Sequence, residues 1–226
     1  MNRWERLDSV TLPDGEVMSL DRRDDEYALR IENFELMNSR QHGSEERLAE
    51  LGAARVGDLS GASALVAGLG MGYTLRAALD LLPANATVTV AELVAEVVDW
   101  NRLYLGGLAG EPLADPRVRV VVGDVADAVR AANAAYDLIL LDTDNGPEGT
   151  TRDENAWLYN AAGLEAVKRA LRPGGVLAVW SAFPSDAFTK RLTQAGFDVD
   201  VNRVRSRGTK GNRHVIWVAA KGKRRR

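Results

Sequence analysis

The rhythm of apolar positions divides the chain. Over residues 1–38, short mixed runs alternate with turn signals: "RLDSVTL" before "PDG", "EVMSLDRR" before "DDE", "YALRI" before "EN", then "FELM". Such punctuation predicts the strands of a small antiparallel meander. "SEERLAELGAAR" follows and reads as a short helix, with Ser44 as its N-cap and acids in its first turn. From residue 62 the period changes. "SALVAG" is a continuous apolar run ending in glycine, and "TLRAALDLL" sets Leu75, Ala78, Leu79 and Leu82 at helical spacing before Pro83. "TVTVAE", "RVRVVVGD", "YDLILLD" and "GVLAVWS" are further strand-like runs. The segments around them read as helices. "LVAEVVDWNRLYL" puts Leu93, Val97, Trp100 and Tyr104 on one face, "VADAVRAAN" is short, and "ENAWLYNAAGLEAVKRAL" reads as one long helix stopped by "RPGG". "SDAFTKRLTQAG" starts on Ser185 as cap and stops at Gly196.

Strands alternating with helices predict an α/β fold, a mostly parallel sheet covered on both faces. "DVDVNRVR" and "HVIWVAA" have no helix between them and predict an antiparallel C-terminal edge hairpin. The expected organisation is a meander and short helix over 1–52, a nucleoside-binding catalytic domain over 53–220, and a basic tail over 221–226.

Composition narrows the classes. A chain of 226 residues with 46% apolar content can bury a real core. No run approaches the roughly 18 apolar residues of a membrane helix, and "MNRWERLDSV" has no apolar leader core, so a cytoplasmic protein without membrane contact is expected. With no cysteine and only His42 and His214, no metal site is expected. The net charge of −3 gives no basic field for nucleic acid. "KGKRRR" at 221–226 is the local exception and reads as a solvated tail. The meander's exposed edges leave a homodimer open.

The candidate chemistry collects where predicted strands end. "LVAGLGMGYTLRAAL" turns from strand to helix through Gly68, Gly70 and Gly72. Glycine suits positive φ and close ligand approach, and the helix N-terminus offers free N–H groups. A dinucleotide fingerprint would need glycine at position 73, where Tyr73 stands, so the spacing is G-x-G-x-G. Glu92 ends the second strand and can accept both hydroxyls of a ribose; as a plain helix N-terminal acid it would be favoured by the dipole. Asp124 ends the third strand and can accept from an adenine amino group with Val125 against the ring, while also serving as an N-cap. Asp142 and Asp144, in "ILLDTDNGPEG", follow the fourth. In parallel sheets, ligands sit outside such carboxyl ends, where strand order reverses.

These segments together resemble the spermidine synthase (polyamine aminopropyltransferase) family, within the S-adenosylmethionine-dependent methyltransferase superfamily. The resemblance rests on "ALVAGLGMGYTLRAAL", "VAELVAEVVDWNR", "RVVVGDVADAV" and "YDLILLDTDNGPE", with "LRPGGVLAVWS" similar to a segment of many methyltransferases. It implies a Rossmann-like class I methyltransferase sheet behind a small N-terminal β-meander. It also implies a sulfonium nucleoside, S-adenosylmethionine or its decarboxylated form, as donor. Carried over by position, Gly68, Gly70, Met71 and Gly72 would line the nucleoside, Glu92 and Leu93 the ribose, Asp124 and Val125 the adenine. Asp142 and Thr143 would border the reacting end, with Asp142, assisted by Asp144, as the acid that orients the attacking amine and takes its proton.

Three positions depart from the family pattern. The family's glycine loop carries an acid where this chain has Met71. Its second acid after the fourth strand is replaced by Asn145 or displaced to Asp144. Its tyrosine-histidine-glutamate run has only an echo in "SRQHGSEE", at His42, Glu45 and Glu46. The expected substrate is a small molecule, an amine, with His42, Glu45, Tyr159 and Trp180 as candidate contacts and "ELMNSRQHGSEE" as a candidate lid. Tyr159, Trp157 and Trp180 can face a cation, at roughly 0.5–2 kcal/mol, or simply pack in the core. Without an acid at Met71, the loop N–H groups can receive the carboxylate of S-adenosylmethionine, which tilts the expectation towards methyl transfer; aminopropyl transfer to putrescine is the alternative.

Overall fold

The computed structural model describes residues 3–143, 146–147, 157–207 and 210–222. The N-terminal runs form an antiparallel four-stranded sheet in the order β1 (Glu5–Thr11), β2 (Val17–Arg23), β3 (Glu26–Ile31), β4 (Phe34–Asn38). Its turns fall at "PDG", "DD" and "EN", as predicted, with Gly15, Asp24 and Glu32 at positive φ. Helix α1 (Gly43–Arg55) then leads to the larger sheet.

That sheet contains β5 (Ser63–Ala67), β6 (Thr87–Glu92), β7 (Val118–Val122), β8 (Tyr136–Leu141), β9 (Leu171–Ser181), β10 (Phe197–Arg207) and β11 (Lys210–Lys221). Their spatial order is β10-β11-β9-β8-β5-β6-β7. Five strands pair parallel, and the β10–β11 hairpin joins β9 antiparallel. This is the expected α/β class, Rossmann-like with an antiparallel edge hairpin and an N-terminal meander. The order runs outward from β5 to β6 and β7, then resumes on the other side with β8. The crevice between the carboxyl ends of β5 and β8 is therefore the switch point.

The continuous apolar runs are explained by burial on both sheet faces. On β5, Ala64 and Val66 join the core that also holds Leu48, Leu75 and Trp100. Leu65 and Ala67 point the other way, into the core of Leu164, Phe188 and Trp217. The first face is covered by α1, α2 (Tyr73–Leu81) and α3 (Ala95–Trp100), the second by α4 (Val125–Ala131), α5 (Ala161–Ala170) and α6 (Asp186–Gln194). Leu75, Ala78, Leu79 and Leu82 are all buried, as their spacing predicts.

Several boundaries differ from expectation. Ser44 is not the cap of α1: His42 occupies that position, and the Ser44 hydroxyl donates to Glu45 Oε2 at 2.6 Å. Leu93 and Tyr104 are exposed, unlike Val97 and Trp100. Helix α3 starts only at Ala95, and a π turn (Asn101–Leu105) rotates the following face. The expected long helix is interrupted at Asn160, whose side chain accepts from Gly163 N–H and caps α5. "RPGG" is not a bare stop, because β9 already includes it as an irregularity in the pairing with β8. Ser185 caps α6 as predicted, accepting from Phe188 N–H at 3.0 Å. No helix among the described residues is long and apolar enough to cross a membrane.

Candidate active site

A cavity of about 210 Å³ opens at the switch point. Its walls come from the loops after β5, β6, β7 and β8, the starts of α1 and α2, Val97 of α3, Trp180 of β9, and the inner face of the meander. The acids lining it among the described residues are Glu45, Glu92, Asp124 and Asp142.

The glycine loop follows from what a side chain would strike. Gly68 has φ of 86°, and a Cβ there would lie 2.4 Å from the backbone oxygen of Asp142. The carboxyl ends of β5 and β8 can approach this closely only because position 68 is bare. Gly70, also at positive φ, lies under Met37, whose Sδ would be 2.8 Å from an added Cβ. Asn101 pins the loop from behind, donating from Nδ2 to the Gly70 oxygen at 2.7 Å and to the Val97 oxygen at 2.9 Å. Gly72 ends the loop as the αL residue before α2, facing Pro112 and Asn101 rather than the cavity. Met71 is fully buried and does not line the cavity, so its side chain is core.

Glu92 and Asp124 sit at the far end. Glu92 Oε2 accepts from Leu69 N–H and Oε1 from Val94 N–H, both at 2.9 Å. These bonds, with further backbone N–H groups of Gly70 and Leu93, orient the carboxylate and oppose the upward pKa shift that burial causes. Asp124 caps α4 by accepting from Ala126 N–H at 2.8 Å, so the capping role exists. Leu93 and Val125 line the cavity beside them.

The near end holds two carboxyls brought together from distant elements. Asp142, just past β8, accepts a hydrogen bond on Oδ2 from Thr74 Oγ1 at 2.5 Å. Glu45 enters from the first turn of α1, nearly buried. Burial, and next the charge of Asp142, push Glu45 up to about 7. Burial raises Asp142 to about 6 against the Thr74 bond, which holds it down. Neighbouring carboxyls in a partly dry site resist double ionisation. Both carboxyls are therefore held above the usual carboxylate range, a suitable arrangement for receiving a proton from a cationic nucleophile.

The stretch between β4 and α1 lies along this end and is tied down at several points. The Tyr73 hydroxyl donates to the Ser39 oxygen at 3.2 Å, and the His42 ring stacks on Tyr73 at 4.1 Å and 13°. His42 Nδ1 also meets Glu46 Oε1 at 2.7 Å. Ser206 Oγ donates to Gln41 Oε1 at 3.0 Å and Arg207 Nε to the Arg40 oxygen at 3.0 Å, linking the stretch to the edge hairpin.

The candidate residues thus divide. Gly68, Gly70, Glu92, Leu93, Asp124, Val125, Asp142, Thr143, Glu45 and Trp180 all line the cavity. His42 does not; it supports Tyr73, which does. Tyr159 does not line the cavity either. Its ring is core, edge-on to Phe188 at 5.7 Å, and its hydroxyl meets Thr143 Oγ1 at 3.0 Å, so it braces the wall from behind. Trp157 is also away from the cavity, under the Arg130 guanidinium at 4.0 Å. Asp144, Asn145 and the tail from residue 223 lie outside the described residues. Among the described residues no group of three His, Cys, Asp or Glu could hold a metal ion.

Sequence reasoning missed Thr74, Tyr73 as an anchor, and the meander residues Ile31, Leu36 and Met37 in the wall. Thr74 carried a signal: it is a polar residue on the buried face of an otherwise apolar helix. The meander residues carried none, because apolar strand residues are expected to be core.

Known proteins share this fold. The crystal structure of spermidine synthase from Thermotoga maritima superposes with a TM-score of 0.75 at 19% identity, covering 96% of this chain and 73% of that one. That likeness concerns the fold. Putrescine N-methyltransferase 3 of Nicotiana tabacum is 40% identical over 114 residues, which is 50% of this chain and 28% of the relative. The matched stretch therefore spans under a third of that relative's own length. Polyamine aminopropyltransferase of Prochlorococcus marinus is 31% identical over 121 residues, 53% of this chain and 40% of the relative. Residues 44–189, from the start of α1 to the middle of α6, match the spermine/spermidine synthase domain, and the chain belongs to that family.

Proposed function

We propose that this chain transfers an alkyl group from a sulfonium nucleoside to an amine, and that the group is methyl, from S-adenosylmethionine. The observation that carries the reading is the Glu45–Asp142 pair beside the bare backbone at Gly68 and Gly70. The cavity suits such a donor on its own terms. The loop keeps a cradle that a Cβ would fill, and Glu92 presents a carboxylate oriented by backbone N–H groups at the cavity wall. Glu92 would hold the ribose, and Asp124 with Val125 the adenine edge. The donor supplies a carbon already activated by its bond to positive sulfur.

The residues of the chain then have positioning and proton work to do. An amine is an ammonium near neutral pH and must lose a proton before it can attack. Asp142, with its carboxylate oriented by Thr74, takes that hydrogen bond, and Glu45 shares the proton. The amine lone pair forms the new N–C bond, the C–S electron pair leaves on sulfur as a neutral thioether, and the surplus proton passes through the carboxyls to water. Trp180 and Tyr73 also line the cavity.

Methyl transfer is supported by the likeness to putrescine N-methyltransferases; position 71 adds no acid to the loop, though the Met71 side chain itself faces the core. One observation favours aminopropyl transfer from decarboxylated S-adenosylmethionine instead. Among the described residues no Lys or Arg lines the cavity to receive the carboxylate of the intact donor. The test is turnover with each donor separately, in the presence of an amine. S-adenosylhomocysteine from the intact donor supports methyl transfer; methylthioadenosine from the decarboxylated donor alone replaces it with the second reading.

A further inference from the structure

His42 does not line the cavity, but two elements of the cavity wall meet on it. Its backbone oxygen accepts from the N–H groups of Glu45 at 3.1 Å and Glu46 at 3.2 Å, so the residue starts the first turn of α1. Its side chain makes no capping bond to that turn. The imidazole instead lies flat on Tyr73, the first residue of α2, with ring centroids 4.1 Å apart and planes 13° from parallel. Its Nδ1 meets Glu46 Oε1 at 2.7 Å. The ring thus fastens the start of α1 to the start of α2.

Those two starts carry the acid pair and its support. Helix α1 brings Glu45. On α2, Thr74 follows Tyr73, donates to Asp142 Oδ2 and lies 3.5 Å from the Glu45 backbone oxygen. Tyr73 also feels the acids: burial, and next the charges of Glu45 and Glu46, push its hydroxyl up to about 12. The hydroxyl therefore stays protonated and donates to the Ser39 oxygen at 3.2 Å. Tyr73 is 7% exposed and the His42 side chain 36%, so the imidazole is the outer layer over the phenol ring. Glu45 is raised first by its burial, then by the charge of Asp142 from β8 and, less, by that of Glu46, while the Ser44 bond opposes the shift. A loosened first turn would forfeit the burial.

We propose that His42 is a positioning residue: its stack on Tyr73 holds the first turn of α1 closed, and with it Glu45 beside the Thr74–Asp142 contact. The geometry stands by itself, and the consequence for rate rests on the transfer reading of the preceding section.

The test is a titration of the full-length chain by NMR with carbon-13 in the glutamate carboxyls. The Glu45 signal is the one that Glu45→Gln deletes, and in the unaltered protein it should titrate at about 7. His42→Ala removes the stack but no capping bond, and should move that titration at least about one pH unit towards the ordinary 4.5. His42→Phe keeps a ring on Tyr73, loses the contact to Glu46, and should restore the parental titration. With donor and amine present, kcat should fall about tenfold in His42→Ala and recover in His42→Phe. His42 belongs to neither core, so both variants should fold. A Glu45 titration unmoved by His42→Ala overturns the proposal, and so does an unchanged kcat. A shift that His42→Phe repeats also overturns it, because the contact to Glu46 would then hold the turn. An unaltered chain that transfers nothing strikes the transfer reading, and the titration alone then decides for or against His42.

Discussion

Glu45 lies in the first turn of helix α1 and Asp142 just past strand β8, yet the charge of one acts on the other. The charge of Asp142 helps to hold the Glu45 proton into the neutral range, and burial raises both. Thr74 stands between the two elements. Its hydroxyl donates to Asp142 Oδ2 and lies 3.5 Å from the Glu45 backbone oxygen.

The first consequence concerns pH and rate. A proton acceptor must be ionised to act, so kcat/KM should climb from about pH 5 to about pH 8 as the pair ionises. Glu45→Gln removes the like charge. The Asp142 carboxyl should then ionise more easily, and the acidic limb should move to lower pH. A pH profile of kcat/KM for the two proteins reads this directly; a limb that stays in place would mean the carboxyls act independently.

Asp142→Asn should trade activity for stability. Both carboxyls have folded pKa values above their unfolded ones. Their favourable contribution is therefore complete below about pH 4 and is lost as pH rises through about 6 to 7. At about pH 8 the native protein holds both charges at a cost, and Asn removes one of them. The variant should gain on the order of 1–3 kcal/mol at that pH in chemical unfolding. Its kcat should fall by about 10²–10⁴-fold with donor affinity unchanged. A variant as active as the parent would exclude Asp142 from the reaction.

Glu92→Gln tests the donor end. The amide keeps one acceptor oxygen for Leu69 or Val94 but replaces the other with an NH₂ group, which cannot accept from an N–H or a ribose hydroxyl. Losing a charge-assisted bond is worth about 1.5–3 kcal/mol, so donor affinity should weaken by about 10- to 100-fold. Calorimetric titration with S-adenosylmethionine measures it, and an unchanged Kd would assign Glu92 to loop structure alone.

The two cavity glycines should respond differently to alanine. At Gly68 the new Cβ would press on the Asp142 backbone oxygen, which cannot move without shifting the β5–β8 pairing. Gly68→Ala should cost on the order of 2–4 kcal/mol and most of the activity. At Gly70 the obstacle is the flexible end of Met37, so Gly70→Ala should cost about 1 kcal/mol, mainly for its positive φ. Thermal unfolding of the two variants should therefore rank Gly68→Ala well below Gly70→Ala.

Much of the architecture was written in the sequence, because it depends on local patterns. The apolar runs ending at Ala67, Glu92 and Leu141 are strands buried on both faces, and their continuity follows from having no solvent side. Glycines at 68, 70 and 72 announced a strand-to-helix turn that only bare residues can make, and all three have positive φ. Acids placed at strand ends pointed to the rim where ligands bind, and Glu92, Asp124 and Asp142 do line the cavity there.

What the sequence could not decide was which side chains meet across long chain separations. Tyr159 reads as a plausible cavity aromatic, yet its ring packs on Phe188 because α5 turns at Asn160. Met71 lies within the glycine loop but faces the core. Leu36 and Met37 read as ordinary strand residues, and only the folding of the meander over the switch point makes them a cavity wall. The pairing of Glu45 with Asp142 is of the same kind. Each carboxylate has a local explanation on its own element; the raised pKa values arise when packing takes both out of water, with the charge of Asp142 adding to the shift at Glu45.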